Sequence, residues 1–122
     1  MGYPFVVGNW KMNTTVKEAR MLVRQISKEI EHLEGITKVV CPPFISLEST
    51  YEILQTTSIN LGAQNLHPEL KGAFTGEISG VMLQDLCRYV IVGHSERRHT
   101  FGETNKFIGQ KVLAALELGI TP

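Results

Sequence analysis

His94 is the side chain best placed in this sequence to move a proton. It follows Tyr89-Val90-Ile91-Val92, an apolar β-branched run without polar alternation, as expected of a strand buried on both faces of a parallel sheet. Gly93 stops the run. Ser95, a residue type that caps helix amino termini, and Glu96, an acid suited to a first helical turn, come next. The pattern predicts an imidazole where a strand ends and a helix begins, which is where ligands bind in parallel α/β architectures. Amides at the helix start are expected to donate to one ring nitrogen. Asn9 and Lys11 form a second candidate pair, because alternate residues of a strand share a face and both would sit at the carboxyl end of a first strand. A lysine at the mouth of a sheet needs an anion, and either Glu96 or a substrate phosphate would serve. Each residue also has a purely structural reading. Lys11 could snorkel to solvent, His94 could only cap its helix, and Glu96 could only complement the helix dipole.

The elements that must position these groups follow in order. Phe5 to Trp10 reads as the first strand and Asn13-Thr14-Thr15 as a turn. Thr15 with Glu18 makes a capping box for a helix whose apolar face is Val16, Ala19, Leu22, Val23, Ile26, Ile30 and Leu33, ended by Gly35. Lys38 to Cys41 is a second strand closed by Pro42-Pro43. Ser46 is expected to cap a second helix carrying Leu47, Tyr51 and Leu54 on one face. Ile59 to Gln64 gives a third strand. A glycine-punctuated loop, Asn65 to Glu77, and a short helix over Ser79 to Leu86 lead to the strand before His94. Thr104 begins a last helix with Phe107, Ile108, Val112, Leu113 and Leu116 inward. Gly119 ends it, and Ile120-Thr121-Pro122 looks like the start of a fifth strand.

Strands therefore begin at intervals of roughly 29 residues, close to the ~31 of a closed eightfold βα barrel, so the sequence reads as half a barrel in one domain over residues 1–122. A flavodoxin-like or Rossmann sheet is the alternative, but the turn after Trp10 lacks the glycines that cradle a phosphate there. In an open half-barrel the inner face would expose residues such as Val6, Val40, Leu61 and Ile91, or their neighbours. The loop Gly72 to Ser79 lifts Phe74 and Thr75 to a tip that needs a pocket, either in the same molecule or in a partner subunit.

Twelve Lys and Arg balance twelve Asp and Glu, so no net charge draws the chain to nucleic acid or to a membrane surface. No leader opens the sequence, no apolar run approaches a bilayer span, and Cys41 and Cys87 match no metal-ligand spacing. The expectation is a cytoplasmic protein whose two thiols are reduced and hold no metal. His32, His67 and His99 read as solvated. Lys38, at the entry end of its strand and away from Lys11, is expected to take no part in anion binding, so Lys38→Met should leave that binding in place.

Four segments, VGNWKMN (Val7 to Asn13), GAQNLH (Gly62 to His67), GAFTGEIS (Gly72 to Ser79) and VGHSERR (Val92 to Arg98), together resemble the triosephosphate isomerase family. The resemblance implies the first four βα units of a (β/α)8 barrel, with the start of the fifth strand. It implies interconversion of dihydroxyacetone phosphate and D-glyceraldehyde 3-phosphate through an enediolate, in glycolysis and gluconeogenesis and without a cofactor. By resemblance His94, Lys11 and Glu96 are catalytic and Asn9 and Lys11 bind substrate. Ser95 supports the catalytic base, while Gln64, Asn65, Phe74 and Thr75 contact the second subunit of a homodimer. The family's glutamate base follows the sixth strand, and its lid and phosphate-binding amides lie in later loops, none within these 122 residues. The chain alone is therefore expected to be inactive. The other reading is a non-catalytic, self-associating half-barrel scaffold.

Overall fold

The computed structural model describes residues 2–122. Four parallel strands lie in chain order in one sheet: β1 (Phe5–Asn9), β2 (Thr37–Cys41), β3 (Asn60–Ala63) and β4 (Tyr89–Val90). Helices α1 (Val16–Ile30), α2 (Leu47–Leu54), α3 (Gly80–Leu83), α4 (Ser95–Thr100) and α5 (Asn105–Glu117) occupy the connections. Thr121 bridges in parallel to Tyr89, and this is the expected start of a fifth strand. β4 is shorter than the apolar run suggested. Its backbone continues only as a single bond from the Ile91 amide to the Ala63 carbonyl before Gly93 turns the chain.

The register assigns the two faces. Phe5, Val7 and Asn9 lie opposite Thr37, Val39 and Cys41, and Gly62 lies opposite Tyr89. A Cβ on Gly62 would stand 2.6 Å from the Cys41 sulfur and 3.1 Å from a Val39 methyl, so these residues share a face on which only glycine fits. The Phe5 and Tyr89 rings meet edge to face across it, centroids 5.1 Å apart, which makes it the concave side. Val40, Leu61 and Val90 face the other way and pack with Val23, Leu47, Leu54, Leu83 and Ala115 under the helices. Val6, Val40 and Leu61, or their neighbours, were expected on the inner face, and it is the neighbours that lie there. A shift of one residue exchanges the faces of a strand, and this is such a shift. Cys41 and Cys87 are buried free thiols, and burial pushes both up to about 12.

Helix α1 starts as its sequence dictates. The Thr15 hydroxyl accepts from the Glu18 amide, and the Glu18 carboxylate accepts from the Thr15 amide. Ala19 and Val23 are buried, whereas Leu22 and Leu33 are exposed. Ser46 does not cap α2 with its side chain. Phe44–Ser46 forms a 3-10 turn leading into the helix, and the Ser46 hydroxyl is buried without a partner among the described residues. In α5 the expected apolar face is rotated. Leu113 and Leu116 are 61% and 57% exposed, while Ile108, Lys111, Ala114 and Ala115 point inward.

Lys38 is the clearest departure from a surface lysine. It is 3% exposed, and its ammonium donates to the carbonyls of Ile30, Glu31 and Leu33 and to the Ser58 hydroxyl at 2.6–3.0 Å. Those carbonyls belong to the end of α1, so a charge carried on β2 closes the negative end of the helix. Lys38→Met should therefore destabilise the chain by about 2–4 kcal/mol, because the buried carbonyls lose a charged donor. Urea denaturation checks this, and a change under about 0.5 kcal/mol, as for an ordinary surface substitution, would contradict the assignment.

Candidate active site

Lys11 follows the carboxyl end of β1 in a conformation that L-residues avoid, with φ of 55°. Such a backbone costs on the order of 1–3 kcal/mol and persists only where neighbours fix it. Two side chains do so here. The Asn9 carboxamide oxygen accepts from the Lys11 amide at 3.0 Å, and the Gln64 amide donates to the Lys11 carbonyl at 2.8 Å. Gln64 also donates to the Cys41 carbonyl, tying the ends of β2 and β3 to the same turn. The Lys11 ammonium is thereby aimed across the sheet at Glu96, whose carboxylate accepts from it. Of the anions considered for Lys11, the protein itself supplies this one. The hydrogen bond from Lys11 holds the Glu96 carboxyl below its ordinary value.

At the other side of the mouth, His94 itself is the amino-terminal cap of α4. Its Nδ1 accepts from the Glu96 amide at 3.1 Å. Ser95, expected to be the cap, is instead the first helical residue. The capping and chemical readings of His94 are compatible. A neutral ring whose Nδ1 accepts carries its proton on Nε2, and the cap fixes the ring plane. Gly93 makes the junction possible, with φ of +65° and space so tight that a Cβ would lie 2.8 Å from an Ile108 methyl. Asn9, Lys11, His94 and Glu96 all line one cleft of about 410 Å³ at the carboxyl ends of the strands, together with Gln64 and Arg97. No group of side chains fit to hold a metal ion occurs among the described residues.

Behind the cleft lies a buried ionic cluster that the sequence reading missed. Oε2 of Glu103 accepts from both Arg97 Nε and Lys111 Nζ at 2.6 Å, and Lys111 also donates to the Asn65 side chain at 2.8 Å. The Lys111 side chain is 0% exposed and that of Glu103 4%. Burial opposes ionisation of Glu103, but the hydrogen bonds and charges of Lys111 and Arg97 outweigh it and leave the carboxyl below its ordinary value. Burial lowers Lys111, against the pull of Glu103. One signal was available. Lys111 falls three residues after Ile108 and four before Ala115, on the buried face of the helix.

The loop tip finds a cover within its own chain. Phe74 lies 4.2 Å, centroid to centroid, from the His67 ring, and His67 meets Phe107 edge to face. His67 is thus half-buried rather than solvated. Thr75 is exposed and its neighbours Gly76 and Glu77 line the cleft. His32 and His99 are exposed, His99 within α4 rather than in a loop.

The family model described as triosephosphate isomerase matches residues 4–122. A triosephosphate isomerase of Dehalococcoides mccartyi strain CBDB1 is 57% identical over 117 residues, which are 96% of this chain and 46% of that protein. One from Aquifex aeolicus strain VF5 is 53% identical over 118 residues, 96% of this chain and 48% of the relative. The crystal structure of triosephosphate isomerase from Bartonella henselae superposes with a TM-score of 0.90 at 38% identity, covering 97% of this chain and 49% of that one. The chain spans about half the length of the curated relatives it matches.

The buried cluster predicts how acid acts. A carboxyl held lower in the folded than in the unfolded chain contributes stability above its unfolded value and loses it as pH falls through the folded one. Glu103 is such a group, so stability should fall as pH drops below about 4.3, the ordinary glutamate value. Glu103→Gln should be less stable near neutrality and show a flatter acid limb. Urea midpoints from about pH 7 to about pH 3 check this, and parallel acid limbs in the two proteins would contradict it.

Proposed function

The chain belongs to the triosephosphate isomerase family, and we propose that it carries the electrophilic, amino-terminal half of an isomerase site for triose phosphates. The observation that carries this reading is the meeting of Lys11, Glu96 and His94 in one cleft, with Lys11 locked in a strained backbone by Asn9 and Gln64. In that site the Lys11 ammonium attracts the substrate's phosphate and offsets the charge of a developing enediolate. His94, with Nδ1 occupied by the Glu96 amide, offers Nε2–H to the substrate carbonyl and passes the proton between its oxygens. Asn9 orients Lys11, and Ser95 stands ready to support the base. The glutamate base and the phosphate-binding amides of the family lie in segments outside these 122 residues. No metal or organic cofactor enters this chemistry. Its setting is glycolysis and gluconeogenesis in the cytoplasm, in keeping with two buried free thiols. No helix among the described residues is long and apolar enough to cross a membrane.

Self-association is the second part of the proposal. Met12, Phe44 and Phe101 are exposed apolar groups around the cleft, and the Phe74–Thr75 tip projects beside them. Phe5, Val6 and Val7 are exposed along β1, whose outer edge has no partner strand among the described residues. A homodimer in which Gln64, Asn65, Phe74 and Thr75 lie at the contact covers the rim around the cleft. The side-chain amide nitrogen of Gln64 and the side-chain oxygen of Asn65 already have partners within the chain, so these two would act there mainly by shape. Light scattering across a dilution series should show association that persists at micromolar concentration. A compact monomer throughout, with cooperative unfolding, would contradict this part.

The chain alone, freed of host isomerase, should not turn over triose phosphate, and mixing with a carboxyl-terminal half from the family should restore turnover. Inorganic phosphate should bind in the millimolar range, about −4 kcal/mol or weaker, since the remote phosphate contacts are missing. Lys11→Met should abolish that binding and Lys28→Met, on the exposed side of α1, should not. Robust turnover by the chain alone, or equal effects of the two substitutions, would overturn the reading.

A further inference from the structure

The hydrogen bonds that leave Lys11 return to it. Its ammonium reaches Glu96, and the next residue in α4, Arg97, donates to Glu103. The same Glu103 oxygen accepts from Lys111, which donates to Asn65. Asn65 adjoins Gln64, whose amide donates back to the Lys11 carbonyl. The circuit joins the end of β1, α4, the segment before α5, α5 itself and the end of β3. Only two of its members are almost wholly buried, Glu103 and Lys111.

We propose that Glu103 and Lys111 are positioning residues for Lys11, setting where its ammonium stands in the cleft without touching what binds there. The inference rests on the reading of Lys11 as the anion-binding group and adds what holds it in place. The Lys11–Glu96 pair cannot hold it alone. Both side chains are about half exposed, at 51% and 50%, and such pairs are screened and lose side-chain freedom when they form. The rigid part of the circuit is the buried one. Lys111 has no route to water and Glu103 almost none, so neither can leave its partner without stranding a charge. Arg97, which stacks on Phe101 and lines the cleft, transmits that rigidity to α4 and hence to Glu96. Asn65 transmits it to Gln64 and hence to the backbone of Lys11. The two arms approach Lys11 from opposite ends, one at its ammonium and one at its carbonyl. A left-handed lysine between them is over-determined, as strained functional residues must be.

The test uses NMR of the 122-residue chain. The double substitution Glu103→Gln with Lys111→Met removes both buried charges together, so that neither is stranded. The expected result is a chain that keeps its β1–β2 amide pattern, while the Glu96 carboxyl titrates at higher pH than in the parent and inorganic phosphate binds at least about tenfold more weakly. Asn65→Ala opens the circuit with the Glu103–Lys111 pair intact, and decides the matter should the double variant not fold. It should lower the hydrogen-exchange protection of the Lys11 amide and raise the Glu96 titration, and Asn65→Asp, which keeps an acceptor for Lys111, should reverse both. A cluster that serves stability alone would lower the melting temperature and leave the Glu96 titration and the Lys11 amide unchanged, and that result overturns the proposal. The Glu96 and Lys11 readouts need no ligand, so failure of the parent chain to bind phosphate would count against the proposed function and leave this inference to be judged separately.

Discussion

The contact between the first and fourth strands is the constraint from which the site follows. In a flat sheet β1 and β4 would stand three strand spacings apart, roughly 14 Å. Here the two strands touch once, and the segments that follow them touch once more. Phe5 meets Tyr89 at one end of the concave face, and Lys11 meets Glu96 at the other. The sheet must curl for both contacts to form, and the curl makes a cleft of its carboxyl end. The apolar contact and the ionic one differ in what they resist. The rings remove surface from water and need no exact angle, whereas the ion pair is half exposed and depends on where its partners are held.

This division explains why the site's supports lie deep in the fold. Lys38 ties the end of α1 to β2 from beneath, while Glu103 ties α4 to α5 and Lys111 ties α5 to the β3 loop from behind. Lys38 is satisfied by four acceptors, and Glu103 meets two cations through Oε2 while its Oε1 is buried without a partner among the described residues. At the surface of the cleft, Asn9, Gln64 and His94 spend a side-chain hydrogen bond on backbone groups, so their orientation is fixed before any ligand arrives.

Much of the site was legible because its signals are local. A strand end, a glycine and an acid in a first turn place His94 and Glu96, and the end of β1 places Asn9, whereas Lys11 lies beyond the strand with φ of 55° and is set by Asn9 and Gln64 rather than by strand alternation. The capping box at Thr15 and Glu18 and the glycine at 119 fixed element ends for the same reason. What was not legible depends on partners distant in sequence. Hydropathy turned Leu113 and Leu116 inward and passed over Lys111, because its helical spacing from Ile108 and Ala115 does not announce that Glu103 and Asn65 will receive it. Lys38 reads as a strand-entry lysine until the carbonyls of α1 arrive beside it. Val40 and Leu61 could not be told from their neighbours as inner-face residues because a run apolar on both faces carries no phase, and the register came from neighbouring strands. Ser46 was a good cap type displaced by a 3-10 turn.

The site assembles only if this chain by itself curls far enough to bring Lys11 to Glu96, and proton NMR tests that curl most directly. Cross-relaxation between the Phe5 and Tyr89 rings, together with contacts from the Lys11 ε-methylene to the Glu96 side chain, should be seen in the isolated chain. Their joint absence from a chain whose β1–β2 and β2–β3 pairings are intact would show an open sheet, with the candidate site unassembled.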